Sequence, residues 1–391
     1  MNRHVYLIGA VRTPHGRYGG SLRAVRAVDL GAAAARAALD RAGLPADAVG
    51  EVVASNCRQA GNGPNPGRQI TLRAGLAQRT PAQTVNMACA SGLKAIQLAA
   101  QSVAVGDTGA ALVVAVESMS TMPYLADSGL RWDGVRRGDI TLVDGWRDGG
   151  TDPVCGLNMG QTAERIAERY GIGRVEQDAW AARSHQRAAA AWADGRFAAE
   201  TVSVPTADGA FERDETFRTD STPARLAGLR PAFVDGGTVT AGNASQMADG
   251  AAAVIVADAA TVERYGLTPA ARLVSFAAVG VDPTEMGVGP VHAVPRALAG
   301  ANRSTADVDL FEINEAFAAQ IVHNVRELGL AEDRVNVNGG GIALGHPTGQ
   351  SGTRIVVSLL HELARRDATT AVASLCVGGG QGVAAVLERV S

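Results

Sequence analysis

The sequence predicts an α/β protein of two similar halves with an unlike segment inserted between them, and three observations support this. Stretches of helical period alternate with short β-branched runs. Residues 91–116 align without a gap on residues 351–376. All four tryptophans, Trp132, Trp146, Trp180 and Trp192, fall between residues 118 and 245, where the chain also becomes more charged.

Taken in order, residues 28–42 and 91–105 carry the helical period, and the β-branched runs 51–54 and 111–116 follow them. Such alternation implies mainly parallel sheets, and it returns after residue 290. In the internal match, Ser91 pairs with Ser351, Gly92 with Gly352, Lys94 with Arg354 and Asp107 with Asp367, all at an offset of 260. Upstream, EVVASN (51–56) resembles DLFEIN (309–314) at an offset two residues smaller. Between the halves, 160–170 and 175–194 read as helices, and the Gly- and Asp-rich stretch 127–153 reads as a loop of the kind that covers a site. The expected division is 1–117 with 246–268, an insertion over 118–245, and 269–391.

Composition narrows the function. The formal charge is −3, from 36 basic and 39 acidic residues without a long basic run, so neither nucleic acid nor an anionic membrane surface is an expected partner. Four cysteines, Cys57, Cys89, Cys155 and Cys376, show neither metal spacing nor a disulfide framework. No metal and no tightly bound cofactor are expected. The start, MNRHVYLIGAVRTP, lacks the apolar core of a signal peptide, and no apolar run reaches the roughly 18 residues of a membrane span. A soluble, cytoplasmic protein is expected. Lys94 is the only lysine, which argues against Schiff-base chemistry.

In VNMACASGLK (85–94), Cys89 falls between an expected strand, 82–86, and a helix starting near Ala90. At a helix N-terminus, free amides and the helix dipole stabilise a thiolate and any oxyanion formed beside it. A buried core cysteine is the alternative reading. Three further segments favour chemistry: GGGIALGHPTGQSG (339–352) sets His346 among glycines, SLCVGGGQG (374–382) runs Cys376 into glycines, and FEINEAF (311–317) ends a strand at Asn314 and Glu315. Two cysteines, a histidine and an asparagine at strand ends read as thiol-based acyl transfer.

Over essentially its whole length the sequence resembles the thiolase family. The motifs that carry the resemblance are RTPHGRYGGSL (12–22), CASGLKA (89–95), NMGQTAE (158–164), TVTAGNASQMADGAA (238–252), NEAF (314–317), GHPTGQSG (345–352) and CVGGGQG (376–382). The resemblance implies a thiolase fold: two duplicated halves in a five-layer αβαβα core, with an inserted loop domain that receives coenzyme A. It implies that Cys89 is the acylated nucleophile, that His346 takes its proton, and that Cys376 is the acid/base at the substrate α-carbon. Asn314 would hold a water that forms one oxyanion hole with His346, and the amides of Cys89 and Gly378 would form the other. Each such donor is typically worth about 3–4 kcal/mol in the transition state.

For coenzyme A, the resemblance places Ser245 near the pantetheine and Met159 and Phe317 along the thioester pocket. Arg218 has two readings, a residue facing the nucleotide or a solvated surface charge. His185 and His323 read as surface or packing residues and Glu315 as a supporting one, while His15 and His292 have no assignment. Family habit implies a homotetramer or dimer. Acetoacetyl-type members usually carry His-Met-Gly where this chain has Asn158-Met159-Gly160; Ser245-Gln246 is similar to degradative members, and CASGLKA to the acetoacetyl type. Two other functions fit the sequence less well. A non-catalytic acyl- or sterol-CoA binder disagrees with the presence of Cys89, Asn314, His346 and Cys376 together, and a ketoacyl synthase disagrees with the second cysteine.

Overall fold

A computed structural model describes residues 4–135 and 137–390; residues 1–3 and 391, at the outer ends of the two expected halves, and 136, within the expected insertion, lie outside the described residues. The main sheet runs, from one edge, through Leu310–Ile313, Thr370–Val377, Gln381–Arg389, Ala271–Gly280, Val5–Arg12, Ala248–Asp258, Ala110–Ser118, Glu51–Ser55 and Ala82–Val85, with the two-residue strand Gly16–Arg17 beside Ala248–Asp258. Its join is narrow: among the described residues, only Tyr6 and Leu7 pair with Arg272 and Ala271 between the halves.

The expectation of mainly parallel sheets needs correction. Among the described residues, only Leu310–Ile313 with Thr370–Val377, and Glu51–Ser55 with each of its neighbours, are parallel pairs in this sheet. The strand Ala248–Asp258 returns from the insertion and slots antiparallel between Val5–Arg12 and Ala110–Ser118. Likewise Gln381–Arg389 folds straight back on Thr370–Val377, because Gly379 and Gly380 take positive φ in the turn.

Strand alternation then builds the layers. In Ala110–Ser118, Ala111 and Val113 face one core, while Leu112, Val114 and Val116 face another with helix Ala27–Ala42. The first core holds the helices Ser91–Val105 and Thr348–Arg366 between the two sheet halves. A third core sets helices Gly289–Gly300 and Ala318–Glu327 on the far side of the second half. The layers are therefore α, β, α, β, α. Fifteen of the nineteen residues of Thr348–Arg366 are buried, as a helix enclosed by two sheets requires.

Within 118–245, helices Met159–Arg169 and Arg174–Ala193 form where 160–170 and 175–194 predict them. They do not build a core of their own: Ile166, Ile172, Trp180 and Ala181 complete the outer core of the second half. Glu315 joins the two, accepting from Trp180 Nε1 at 2.9 Å, Ser184 Oγ at 2.6 Å and Asn336 Nδ2 at 3.0 Å. Arg12 ties the other end, with its buried guanidinium bound to Glu200 at 2.5 Å and to both oxygens of Asp214 at 2.8 and 2.9 Å. Such a fully paired buried arginine is held by geometry, and removal of one partner would leave a charge without compensation.

The stretch 127–153, expected as a loop, contains short elements: strand Leu142–Asp144 pairs with Tyr124–Ala126, and helix Gly145–Gly150 follows. Of the two surface-or-packing histidines, both are buried. His185 Nδ1 accepts the amide of Arg218 at 3.1 Å, and His323 stacks on Tyr170. No helix among the described residues is long and apolar enough to cross a membrane.

Candidate active site

Cys89 stands in a tight turn between strand Ala82–Val85 and helix Ser91–Val105. The turn depends on Ala88, which takes φ 47°, a left-handed conformation that costs an alanine roughly 1–2 kcal/mol. Neighbouring bonds hold it there. Asn86 Oδ1 accepts the Ala88 amide at 3.0 Å, and Ser91 Oγ donates to the Ala88 carbonyl at 2.6 Å while accepting the Met87 amide at 2.8 Å. The sulfur then meets the backbone N–H groups of Gly378 and of Cys89 itself. Burial pushes the thiol's pKa up; the Gly378 amide, the charge of Arg58 and the Cys89 amide pull it down, and burial prevails.

His346 is buried on the loop before helix Thr348–Arg366. Its Nδ1 lies 2.6 Å from Ser351 Oγ, whose hydroxyl donates to the Pro347 carbonyl at 3.0 Å. Ser351 is thus the acceptor for an Nδ1–H, and Nε2 is left as the proton-accepting nitrogen. Burial, reinforced by Arg354, His15 and Arg58, pushes the imidazole's pKa down to about 3. Asn314, just past strand Leu310–Ile313, sets its Nδ2 3.4 Å from His346 Nε2, and its buried Oδ1 has no hydrogen-bond partner among the described residues.

Cys376 lies near the end of strand Thr370–Val377, opposite Gly382, and is 1% exposed. It packs with Met286, Ala316, Phe317 and Met159. Burial, and then the proximity of Cys89, drive its pKa well above the ordinary thiol range.

A cavity of about 350 Å³ collects these groups. Cys89, His346 and Gly378 line it, together with Met159, Phe317 and Ser245. Asn314 and Cys376 lie outside its lining, in contact with residues that form it. Arg218 is exposed and is not among the lining residues. Asn158 also lines the cavity while capping helix Met159–Arg169: its side chain accepts the Gln161 amide at 2.9 Å, and Gln161 Oε1 accepts the Asn158 amide at 2.9 Å.

Several residues at the site were not picked out by sequence reasoning. Ser351 was visible as the duplicate of Ser91, and the two serines do matching work at the two turns. Glu117 is fully buried and accepts from Asn56 Nδ2, Thr348 Oγ1 and the amides of Cys57, Arg58 and Gly349, which fastens the His346 loop to the first half. Arg58 and Trp146 enter the same cavity as Cys89.

Two family models cover the chain, "Thiolase, N-terminal domain" over residues 5–260 and "Thiolase, C-terminal domain" over 267–389. An acetyl-CoA acetyltransferase of Cupriavidus necator is 48% identical over 391 residues, which span 98% of this chain and 99% of that protein. Its counterpart in Escherichia coli is 46% identical over 394 residues and all of both chains. Among solved structures, human mitochondrial 3-ketoacyl-CoA thiolase in complex with CoA superposes with a TM-score of 0.97 at 41% identity, covering 100% of this chain and 98% of that one.

Proposed function

The chain belongs to the thiolase family, an acyltransferase family, and from that premise we propose how its residues divide the reaction. Cys89 carries the acyl group, His346 takes the Cys89 proton, and Cys376 handles the proton at the α-carbon. The observation that carries this reading is the position of the Cys89 sulfur, facing the amides of Gly378 and Cys89 in a cavity shared with a neutral His346.

In thiolysis, the Cys89 proton passes to His346 Nε2 as the sulfur attacks the 3-keto carbonyl of the substrate. The bond between C2 and C3 then breaks, and Cys376 gives its proton to the C2 carbanion, releasing acetyl-CoA and leaving the acyl group on Cys89. Coenzyme A attacks that thioester next. Its thiol proton restores Cys376, and His346 returns the first proton to the departing Cys89 sulfur. The resting protonation states suit this direction: both thiols are held neutral by burial and the imidazole is held unprotonated. The amides of Cys89 and Gly378 stabilise one oxyanion, and Asn314 with His346 serves the other carbonyl.

For coenzyme A we assign the thioester arm to Met159, Phe317 and Ser245, and the nucleotide end to the exposed Arg218. The loop segment 118–245 receives it, between a first half of 1–117 with 246–268 and a second half of 269–391. We place the enzyme in the cytoplasm, as a homo-oligomer, where its four free cysteines stay reduced. Acetyl-CoA is the expected short product, since relatives are named acetyl-CoA acetyltransferases. The test is thiolysis of 3-ketoacyl-CoA esters of increasing length, with release of acetyl-CoA expected; absence of turnover with every ester would overturn the assignment.

A further inference from the structure

Among the described residues that line the catalytic cavity, Arg58 is the one that carries a charge, since burial keeps His346 neutral. Its guanidinium is anchored at one corner only, with Nη2 donating to the Gly149 carbonyl at 2.7 Å. Its Nε is buried without a hydrogen-bond partner, and no carboxylate forms an ion pair with it among the described residues. Glu117 lies close enough to feel its charge, but the oxygens of Glu117 are already committed to five donors, the Arg58 amide among them.

The seat is built for this side chain. A Cβ on Gly149 would lie 1.0 Å from Arg58 Nη1, so only a glycine there lets the guanidinium in. A second cavity of about 160 Å³ also borders Arg58 and is lined by Asp148, whose carboxylate disfavours an anion there, so the cavity that Arg58 shares with Cys89 is the one suited to an anion. A guanidinium with spare N–H groups in a largely apolar pocket is matched by a carboxylate, which it binds through two parallel charge-assisted bonds.

We propose that Arg58 recognises a carboxylate at the far end of the acyl chain, so that the preferred substrates are 3-ketoacyl-CoA esters of dicarboxylic acids. This rests on the thiolase reading of the same site. Arg58 also acts on the Cys89 thiol, and coenzyme A brings its own phosphates; both effects would touch every substrate equally, so the ratio between matched substrates isolates the chain end.

The experiment compares kcat/KM for a six-carbon 3-ketoacyl-CoA and for the same chain ending in a carboxylate. The unsubstituted protein should favour the carboxylate by at least about tenfold, and Arg58→Leu should lower that ratio by at least about tenfold. Arg58→Lys keeps the charge but loses the fork, and should fall between them. If Arg58→Leu does not fold, Gly149→Ala displaces the guanidinium without removing it and should lower the ratio as well. Equal losses on both substrates would assign Arg58 to Cys89 or to the coenzyme and overturn the proposal. Turnover of the neutral ester with no carboxylate preference would overturn it while leaving the thiolase reading intact. Failure to turn over either ester would count against the thiolase reading itself.

Discussion

Gly92 and Gly352 meet backbone to backbone where the two central helices cross. A Cβ on Gly352 would lie 2.3 Å from the Leu93 amide nitrogen, one on Gly92 would lie 2.6 Å from that of Thr353, and Thr353 Oγ1 donates to the Gly92 carbonyl at 3.0 Å. The internal duplication pairs these two glycines, so the helices approach as near equivalents. Cys89 precedes one glycine and His346 the other, and the crossing brings nucleophile and base into one cavity.

Substitution at the crossing should therefore damage stability and chemistry together. In Gly352→Ala the new methyl meets main chain, which cannot rotate away, and the cost should reach or exceed the roughly 1–3 kcal/mol of ordinary overpacking. Thermal denaturation should show a clear fall in midpoint, with kcat reduced in the surviving fold. Gly280→Ala, at the exposed end of strand Ala271–Gly280, meets nothing within 4 Å among the described residues and should move the midpoint little. Comparable midpoints for the two variants would show that the crossing is not tight.

Ser351 should set the tautomer of His346. Without its oxygen, Nδ1–H loses a buried acceptor, the proton is free to settle on Nε2, and the base faces Cys89 in the wrong form. Ser351→Ala should lower kcat by about 10–100-fold with a smaller change in KM and an altered acid limb of the pH–rate profile, while Ser351→Thr should recover part of the loss. A lower yield of folded protein with unchanged kcat would reduce Ser351 to a packing role.

Much of this arrangement was legible in the chain. The Ala- and Leu-rich period of 28–42 gives helix Ala27–Ala42, and the paired Ser-Gly at 91 and 351 falls in the first turn of both helices at the site. Strand direction was not legible, because Ala248–Asp258 reaches its place only after the insertion has crossed the molecule. Nor was the turn before Cys89: Ala88 takes φ 47° because Asn86 and Ser91 hold it, not because alanine favours it. Nor did the sequence single out Arg58, since the glycine that admits it lies 91 residues away.

Stability should fall as the medium is acidified, through histidines that the fold keeps neutral. Burial pushes His15 and His185 down to about 4 and His346 to about 3 from an ordinary 6.5. Below pH 6.5 the unfolded chain binds protons that the folded chain refuses, so these contributions are present above 6.5 and are lost on the way down. Glu312, pushed up to about 8 by burial, works the other way between about 4.5 and 8. His185→Gln isolates one histidine and preserves an acceptor for the Arg218 amide. Its unfolding free energy between pH 4.5 and 6.5 should be shallower than that of the unsubstituted protein by about one proton, or ~1.4 kcal/mol per pH unit. Parallel curves would mean that His185 titrates normally in the fold.

Asn158 does two jobs, and Asn158→His should separate them. As a helix cap its loss should cost about 0.5–2 kcal/mol in denaturant titration. As a cavity residue it should influence acyl selection, and the imidazole should shift relative activity toward acetoacetyl-CoA against longer esters. An unchanged specificity ratio with a lowered stability would leave only the capping role.

The two cysteines should part by reaction step. Cys376 is deeply buried, packs against Met159 and Phe317, and lacks the helix start that sits beside Cys89. If it serves only the α-carbon, Cys376→Ala should still accept an acetyl group from acetyl-CoA onto Cys89, since that step needs His346 and the amides of Cys89 and Gly378. Peptide mapping should find the acetyl group on the fragment containing residues 85–94. Condensation of two acetyl-CoA molecules should fall by roughly 10²–10⁴-fold, the usual effect of losing a general acid or base. Cys89→Ala should abolish both steps. Rapid-quench acyl-enzyme yield beside steady-state condensation, measured on the same Cys376→Ala protein, decides the matter: an equal loss of both would place Cys376 in the activation of Cys89, and acetylation of Cys376 itself in the unsubstituted enzyme would reverse the roles.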